Sequence, residues 1–258
     1  MNDFLYIMKK CKICNGKGYV FNDNRSYRGE VENLETNVAK ECECLKRITL
    51  YRKYKNANIL PNYYGFDFSK DFITEGPVKE SIVSIMNNLE EFKEMGYGLL
   101  LHGGKGTGKT MIGSEILKAA IRRGYSAHYD FFPSIIETLS DRDFKAADIR
   151  RACENSISSP DFLVLDELGK EFTGHKNFTA KDIARFLEIN VLKKRSNKTT
   201  ILISNLDGGI DGFQKEYGQF VVSVIKSKLK VVNMEGMDFR DIEKGNIDKF
   251  MGEINGKS

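Results

Sequence analysis

Residues 98–110 read GLLLHGGKGTGKT, and the architecture of the surrounding domain can be inferred from this segment. Residues 98–102 are a short, mostly apolar run that is typical of a buried strand. Gly103 to Thr110 match the pattern GxxxxGK[ST] at every position. Residues 110–123 follow with apolar side chains at helical spacing. A strand, a glycine-rich loop and a helix in this order predict a phosphate-binding loop. The alternative, a glycine-rich turn with a chance lysine, does not explain the flanking elements.

The loop residues are candidate ligands of ATP and Mg²⁺. Glycines let backbone N–H groups turn toward phosphate oxygens, and the following helix points its positive end at the same anion. We expect Lys109 to reach the β- and γ-phosphates and the Thr110 hydroxyl to bind Mg²⁺. The predicted nucleotide-binding residues of the loop are Gly103, Gly104, Lys105, Gly106, Thr107, Gly108, Lys109 and Thr110.

A second apolar run, FLVLDE at 162–167, ends in two carboxylates. Placed beside the strand of the loop, it would bring Asp166 to the Mg²⁺ site. Glu167 would then act as the general base that activates the attacking water. The pair favours ATP hydrolysis, because a protein that only binds ATP has little use for Glu167. The alternative is an ordinary strand followed by an acidic turn.

A third apolar run, TILISN at 200–205, ends in an amide. Beside the acidic strand, Asn205 would contact the γ-phosphate or the attacking water, although a plain turn after a strand has the same pattern. Strands alternate with helices from Gly98 onward, which predicts right-handed crossovers and a mainly parallel sheet. We therefore predict an α/β P-loop domain with three αβα layers. The predicted strands are 98–102, 126–132, 162–166, 199–204 and 230–233, and the predicted helices are 80–95, 110–123, 145–157, 179–194 and 221–229.

Four of the five cysteines form two close pairs, Cys11/Cys14 and Cys42/Cys44. Four thiolates satisfy tetrahedral Zn²⁺ and leave no open position for catalysis, so the predicted zinc site is structural. Residues 15–41 contain few apolar side chains and would need the metal in order to fold. Reduced, unliganded cysteines are the alternative. A redox pair is disfavoured because no βαβ pattern surrounds it.

Composition is that of an ordinary folded protein, with 41% hydrophobic and 29% charged residues and a net charge of +4. No apolar run approaches the length of a membrane span, and the N-terminus does not resemble a signal peptide. We expect a cytoplasmic protein without a membrane partner. Residues 46–55, KRITLYRKYK, are basic and aromatic, which fits either a solvated linker helix or contact with nucleic acid.

From about Pro61 to Asp241 the chain resembles the AAA+ ATPases of the helicase-loader group, the DnaC/DnaI type, together with the IstB transposition ATPases. The resemblance rests on GGKGTGKT, FLVLDELG, TTILISNL and the tail EYGQFVVSVIKSKLKVVNMEGMDFRD. It implies an AAA+ domain without a helical lid. The cysteine pattern is similar to the zinc-bearing N-terminal part of loaders from Gram-positive bacteria and their phages.

The resemblance also implies residue roles. Lys109 and Thr110 match the Walker A residues, Asp166 and Glu167 the Walker B residues, and Asn205 matches sensor 1.

Two further roles concern the C-terminal part. Arg240 falls where the family often has the sensor 2 arginine. Where the family usually reads Ser-Arg-Leu, with an arginine acting on a neighbouring subunit's ATP, this chain has Lys228. Lysine lacks the planar fork that grips a phosphate, so this departure puts efficient trans-activated hydrolysis in question. Lys226, Lys228 or a partner's arginine would have to act instead.

The expected domains are a zinc-binding partner-recognition module at 1–45, a linker helix and connector at 46–78, an AAA+ ATPase domain at 79–245 and a tail at 246–258. By resemblance, the N-terminal module would bind a ring-shaped replicative helicase of the DnaB type. The ATPase domain would self-assemble when bound to ATP and partner, and it would contact single-stranded DNA. ATP binding and hydrolysis would control the grip on the helicase and its release.

Three alternatives stay open. One is an IstB-like transposition helper that binds duplex DNA, against which the cysteine pairs count. Another is an adaptor that holds ATP with little turnover, which the lysine at position 228 favours. The last is a zinc chaperone, since CxxCxGxG resembles the DnaJ repeat, but the motif occurs once here and several times in that family.

Overall fold

A computed structural model of the chain describes residues 11–21, 39–68, 77–141, 146–171, 179–206 and 208–234. The chain divides into two compact units, Met1–Asn56 and Ala57–Ser258. In the described ranges, no helix is both long enough and apolar enough to cross a membrane. Arg240 and the tail predicted at 246–258 lie outside the described residues, as does the stretch in which a helical lid would follow the sheet.

The first unit has a short antiparallel hairpin and one helix. Strands β1 (Tyr19–Phe21) and β2 (Ala39–Glu41) pair with Tyr19 opposite Glu41, and helix α1 covers Glu43–Asn56. Helix α1 begins with an acidic residue and ends with two lysines, which suits the helix dipole. The buried cluster of this unit consists of cysteines with Val20 packed against them. In the described part of this unit, the buried apolar side chains besides the cysteines are those of Ile48 and Tyr54, so their packing supplies limited stability.

The second unit is built on a five-stranded parallel sheet, as the sequence predicts. The strand order is β4-β5-β6-β3-β7. The three inner strands, β5, β6 and β3, are buried along most of their length, which explains their unbroken apolar runs. The strands are β3 (Gly98–Gly103), β4 (Ala127–Phe131), β5 (Phe162–Leu168), β6 (Thr199–Ser204) and β7 (Leu229–Met234).

Helices cover both faces of this sheet. They are α2 (Pro77–Asn87), α3 (Leu89–Glu94), α4 (Lys109–Arg122), α5 (Phe132–Ser140), α6 (Ala147–Ser158), α7 (Ala180–Phe186), which continues as π-helix over Leu187–Lys193, and α8 (Gly209–Lys228). Gly113 of α4 packs on Val164 and Ile203. The neighbouring residues Leu163 and Leu202 point the other way, into the core formed with α5 to α8. This alternation produces the three αβα layers.

Some elements differ from the sequence-based prediction. The helix predicted at 80–95 is interrupted at Asn88. The strand predicted at 126–132 ends at Phe131, and an unpredicted helix, α5, starts at Phe132 with a proline in its first turn. The helix predicted at 221–229 begins at Gly209 and is kinked at Gly218, where φ is 84° and ψ is 168°. Several glycines in the first half of α8 lower its intrinsic helix propensity, so the sequence does not predict a helix there.

A buried arginine joins the amino-terminal ends of two strands. Arg195 is 1% exposed. It donates to the carbonyls of Ile157 and Pro160, which precede β5, each at 2.8 Å. It also donates to the Thr199 carbonyl at 2.8 Å and to the Thr200 hydroxyl at 3.0 Å, both in β6. Burial lowers the pKa of this guanidinium to about 10, and the cation is balanced by oriented carbonyl dipoles.

Candidate functional site

The phosphate loop leaves strand β3 through a backbone conformation that requires glycine. Gly103 has φ of 136°, and a Cβ at this position would lie 2.2 Å from the Met234 carbonyl oxygen on β7. Gly106 and Gly108 have φ of 79° and 86°, in the left-handed region. Helix α4 begins immediately afterwards at Lys109. The loop therefore has the strand-turn-helix geometry in which N–H groups and a helix N-terminus face an anion.

Lys109 lies folded across this loop. Its Nζ donates to the carbonyls of Gly103 at 2.9 Å and Gly104 at 2.5 Å, and it lies 3.3 Å from the Thr107 hydroxyl oxygen. The residue is only 5% exposed. A buried ammonium held by two backbone carbonyls is placed where it can exchange these partners for phosphate oxygens.

Asp166 lies near the carboxyl end of β5, is buried, and accepts hydrogen bonds from two hydroxyl groups. Thr110 Oγ1 and Tyr129 OH each lie 2.7 Å from its Oδ2. Burial raises the pKa of Asp166 above its ordinary value, while the hydrogen bonds from Thr110 and Tyr129 lower it. Burial and the neighbouring Asp166 raise the pKa of Tyr129, so the tyrosine stays a neutral donor. The carboxylate and the Thr110 hydroxyl are oxygen ligands of the kind that Mg²⁺ prefers, so these residues fit the metal.

Glu167 follows within β5, where the pairing with β6 is irregular. Its φ is 64°, in the left-handed region that non-glycine residues rarely adopt. The chain turns immediately after β5, at Gly169 with φ of 100°, and this turn brings Lys170 Nζ to 2.5 Å from Glu167 Oε1. A left-handed glutamate next to the candidate metal ligand Asp166 is the kind of backbone outlier that clusters at functional sites.

These residues share one cavity of about 520 Å³ at the carboxyl ends of the parallel strands. This is where ligands bind in open α/β sheets. The cavity is lined by Tyr63, Lys105, Gly106, Thr107, Gly108, Lys109, Thr110, Met111, Asp166, Glu167, Lys170, Ile203 and Asn205. The pocket thus collects residues from the phosphate loop, the acidic strand and the end of β6.

The four paired cysteines form a second site, in the first unit. Their Sγ atoms all lie within 4.8 Å of one another. Cys11 and Cys42 are 3.7 Å apart and Cys14 and Cys44 are 3.4 Å apart, measured between Sγ atoms. A tetrahedron with Zn–S bonds of about 2.3 Å has edges of about 3.8 Å, whereas a disulfide needs about 2.05 Å. The cluster therefore fits a Zn²⁺ ion.

Backbone and thiol chemistry support this fit. The Gly18 N–H donates to Cys14 Sγ at 3.2 Å, as the glycine turn after the first pair allows. Burial raises the pKa of Cys14, but the Gly18 N–H and the neighbouring thiols lower it, to about 6. Burial and its thiol neighbours raise the pKa of Cys44 to about 12. Neighbouring thiols thus favour ionisation of Cys14 and oppose ionisation of Cys44, so one thiolate forms readily whereas four thiolates at this spacing require a cation.

Comparison with known proteins identifies the family. Residues 25–218, more than half of the chain, match the model of the family described as IstB-like ATP binding protein. The chain belongs to the IstB-like ATP-binding protein family. No curated protein sequence matches the chain.

Solved structures agree with this IstB-like assignment at the level of fold. The DnaC helicase loader is 22% identical, with a TM-score of 0.51 over 71% of this chain and 99% of that one. DnaI is 19% identical, with a TM-score of 0.54 over 69% and 93%. AMPPCP-bound DnaA from Aquifex aeolicus is 22% identical, with a TM-score of 0.51 over 74% of this chain and 56% of that one. The fold is that of an AAA+ P-loop domain.

The IstB-like chain places its predicted site residues in three groups. Lys105 to Thr110 lie together with Asp166, Glu167 and Asn205 in the cavity. Gly103 and Gly104 contribute through their carbonyls, which hold Lys109. Lys228 ends α8 beside a separate small pocket that contains Gly96 and Arg195. Within the described chain, Lys228 is not part of the nucleotide cavity lining.

The site also contains the polar residues Tyr63, Tyr129 and Lys170, which were not predicted from the sequence. Tyr63, from a 3₁₀ turn in the predicted connector, lines the cavity, and Lys118 Nζ donates to its carbonyl at 2.6 Å. Tyr129 reaches Asp166 from the neighbouring strand β4. Neither tyrosine has a sequence signal, because each position depends on tertiary packing. Lys170 does have a sequence signal, because it follows Glu167 by three residues and this spacing allows an ion pair within a turn.

Proposed function

We propose that this IstB-like protein hydrolyses ATP. The main support is that one cavity is lined by the predicted site residues Lys109, Thr110, Asp166, Glu167 and Asn205. Lys109 would bind the β- and γ-phosphates, and Glu167 would take a proton from the attacking water. Mg²⁺, held by Thr110 and Asp166, would neutralise charge on the phosphate oxygens when bound. Asn205 would orient the γ-phosphate or the water.

We further propose that the protein loads a DnaB-type replicative helicase onto single-stranded DNA, with ATP binding and hydrolysis controlling its release. Support comes from the fold shared with the DnaC helicase loader and from a DnaA structure that contains AMPPCP and single-stranded DNA. The zinc module at 1–45 would bind the helicase, and residues 79–245 would assemble with neighbouring copies on DNA. Lys228, exposed at the end of α8, is positioned on the surface as a residue acting in trans must be.

The test is co-purification of the zinc-loaded protein with its host's ring helicase, with and without ATP. Phosphate release is followed in parallel on single-stranded DNA. A complex that dissociates as single-stranded DNA triggers hydrolysis is expected for a loader.

The Lys109→Ala variant should bind ATP about tenfold or more weakly, because the substitution removes a charge-assisted contact to phosphate. Tight ATP binding by that variant, or a helicase complex formed equally well without the cysteine module, would refute the assigned roles.

The second candidate is a transposition helper, which the match to the IstB-like family favours. Such a protein would prefer duplex over single-stranded DNA and would form ATP-dependent filaments on it. The cysteine cluster in the first unit argues for the loader instead. Filaments on duplex DNA together with no helicase complex would reverse the preference.

A further inference from the structure

The ion pair between Lys170 and Glu167 sits at the nucleotide cavity. Lys170 Nζ lies 2.5 Å from Glu167 Oε1, and both side chains line the cavity. The side chains are 49% and 35% exposed, so the pair is partly screened by solvent and can open. Its acidic member is the same carboxylate that the proposed hydrolysis needs as its base.

The turn that brings Lys170 to Glu167 is held by hydrogen bonds and by packing. The Lys170 N–H donates to the Glu167 carbonyl at 3.2 Å. A Cβ at Gly169 would lie 2.6 Å from the Leu206 side chain, so the chain can bend there only with glycine. The Gly169 N–H donates to the buried Glu171 carboxylate at 2.7 Å, and Tyr217 donates to the same carboxylate. Buried partners therefore hold the turn that positions Lys170 over Glu167.

We propose that Lys170 is a positioning residue that restrains Glu167 and lowers the basal rate of ATP hydrolysis. The proposal rests on the proposed ATPase function. In hydrolysis the water proton passes to Glu167 while the water oxygen bonds the γ-phosphorus. The bond from that phosphorus to the bridging oxygen breaks, and ADP leaves. The ammonium holds Oε1 and with it the orientation of the carboxylate, so the pair must open before Glu167 can turn toward the attacking water and accept its proton.

The test compares phosphate release at saturating ATP, without helicase or DNA, for the full-length wild type and Lys170→Met. Removing a partly exposed ion pair should raise kcat about two- to five-fold. The KM for ATP should stay within about twofold, because the phosphate-binding residues are unchanged. Lys170→Arg keeps the pair and should stay near the wild-type rate. Lys193→Met is the matched control, because it removes a 2.6 Å pair with Glu188 that lies outside the cavity lining.

Two further readouts separate restraint from a structural effect. Added salt should raise the wild-type rate toward that of Lys170→Met and leave the variant unchanged, since salt screens the pair. Glu167→Gln should abolish the gain in the Lys170→Met background.

An unchanged or slower Lys170→Met enzyme, beside an active wild type, would overturn the restraint and leave the ATPase proposal standing. A gain that survives Glu167→Gln would also overturn it. If neither wild type nor variant releases phosphate, the proposed hydrolysis itself fails, and the restraint fails with it.

Discussion

At the scale of single residues, Glu171 is a carboxyl group buried in the second unit. Its side chain is fully buried, and it accepts hydrogen bonds from the Gly169 N–H and from Tyr217. Burial raises its pKa above the ordinary 4.5, while these hydrogen bonds lower it. The folded state therefore holds the proton more tightly than the unfolded chain does. The stability from this group is fully present below pH 4.5 and is lost as pH rises through the raised pKa.

Glu171→Gln should accordingly gain free energy of unfolding at neutral pH and show a flatter pH dependence. The glutamine oxygen can accept from Gly169, and its amide can donate to the Tyr217 oxygen, so both contacts survive. Urea unfolding at mildly acidic and neutral pH measures the effect. Glu137→Gln, at an exposed position of α5, should keep the wild-type pH dependence. A loss of stability at neutral pH in Glu171→Gln would contradict the sign of the shift.

The sequence predicts every residue of the phosphate loop, because each fixed position of the motif has a physical role in binding phosphate. Asp166, Glu167 and Asn205 could be assigned to the same cavity because parallel strands present their carboxyl ends at one edge. Tyr63 and Tyr129 could not be assigned in this way. Their contribution depends on which strand neighbours β5 and on how a turn packs over α4.

Among the elements, β5 and β6 depend on Arg195 at their amino-terminal ends. Arg195→Met should lower the free energy of unfolding by about 3 kcal/mol or more, because several buried acceptors lose their donor. Thermal or urea denaturation measures this loss. Arg185→Met, at an exposed position of α7, should change stability by less than about 0.5 kcal/mol. A comparably small loss in Arg195→Met would mean that water replaces the guanidinium.

The strands were easier to predict than the helices. Each inner strand contains an unbroken apolar run of three or four residues, which predicts a strand buried on both faces. Helix α8 was predicted only in its second half, because Gly209, Gly212 and Gly218 weaken the signal in the first. Its helical state there depends on tertiary packing, since Phe213 and Tyr217 are buried in the core.

Across the whole molecule, the two units should respond differently to metal removal. Among its described residues the first unit buries few apolar side chains besides the cysteines, and we expect it to lose its structure when a chelator removes zinc. The second unit has its own core and should retain ATP affinity. Hydrogen exchange on the full-length protein, read separately for residues 11–56 and for the sheet, measures both. Cys14→Ser should lower zinc content, and Cys153→Ser, outside the cluster, should not. Equal protection of the first unit with and without chelator would contradict a structural zinc site.

The position of Arg195 suggests a way to obtain a temperature-sensitive variant. It acts at the amino-terminal ends of β5 and β6, whereas the nucleotide cavity lies at their carboxyl ends. Lysine at this position would keep the charge and some of the hydrogen bonds but lack the fork that reaches all the acceptors. Arg195→Lys should therefore behave as a conditional allele, with normal activity in cells grown cool and loss of function in cells grown warm. Such an allele would let the protein be switched off in a living host by a shift in temperature, without altering a residue that lines the nucleotide cavity.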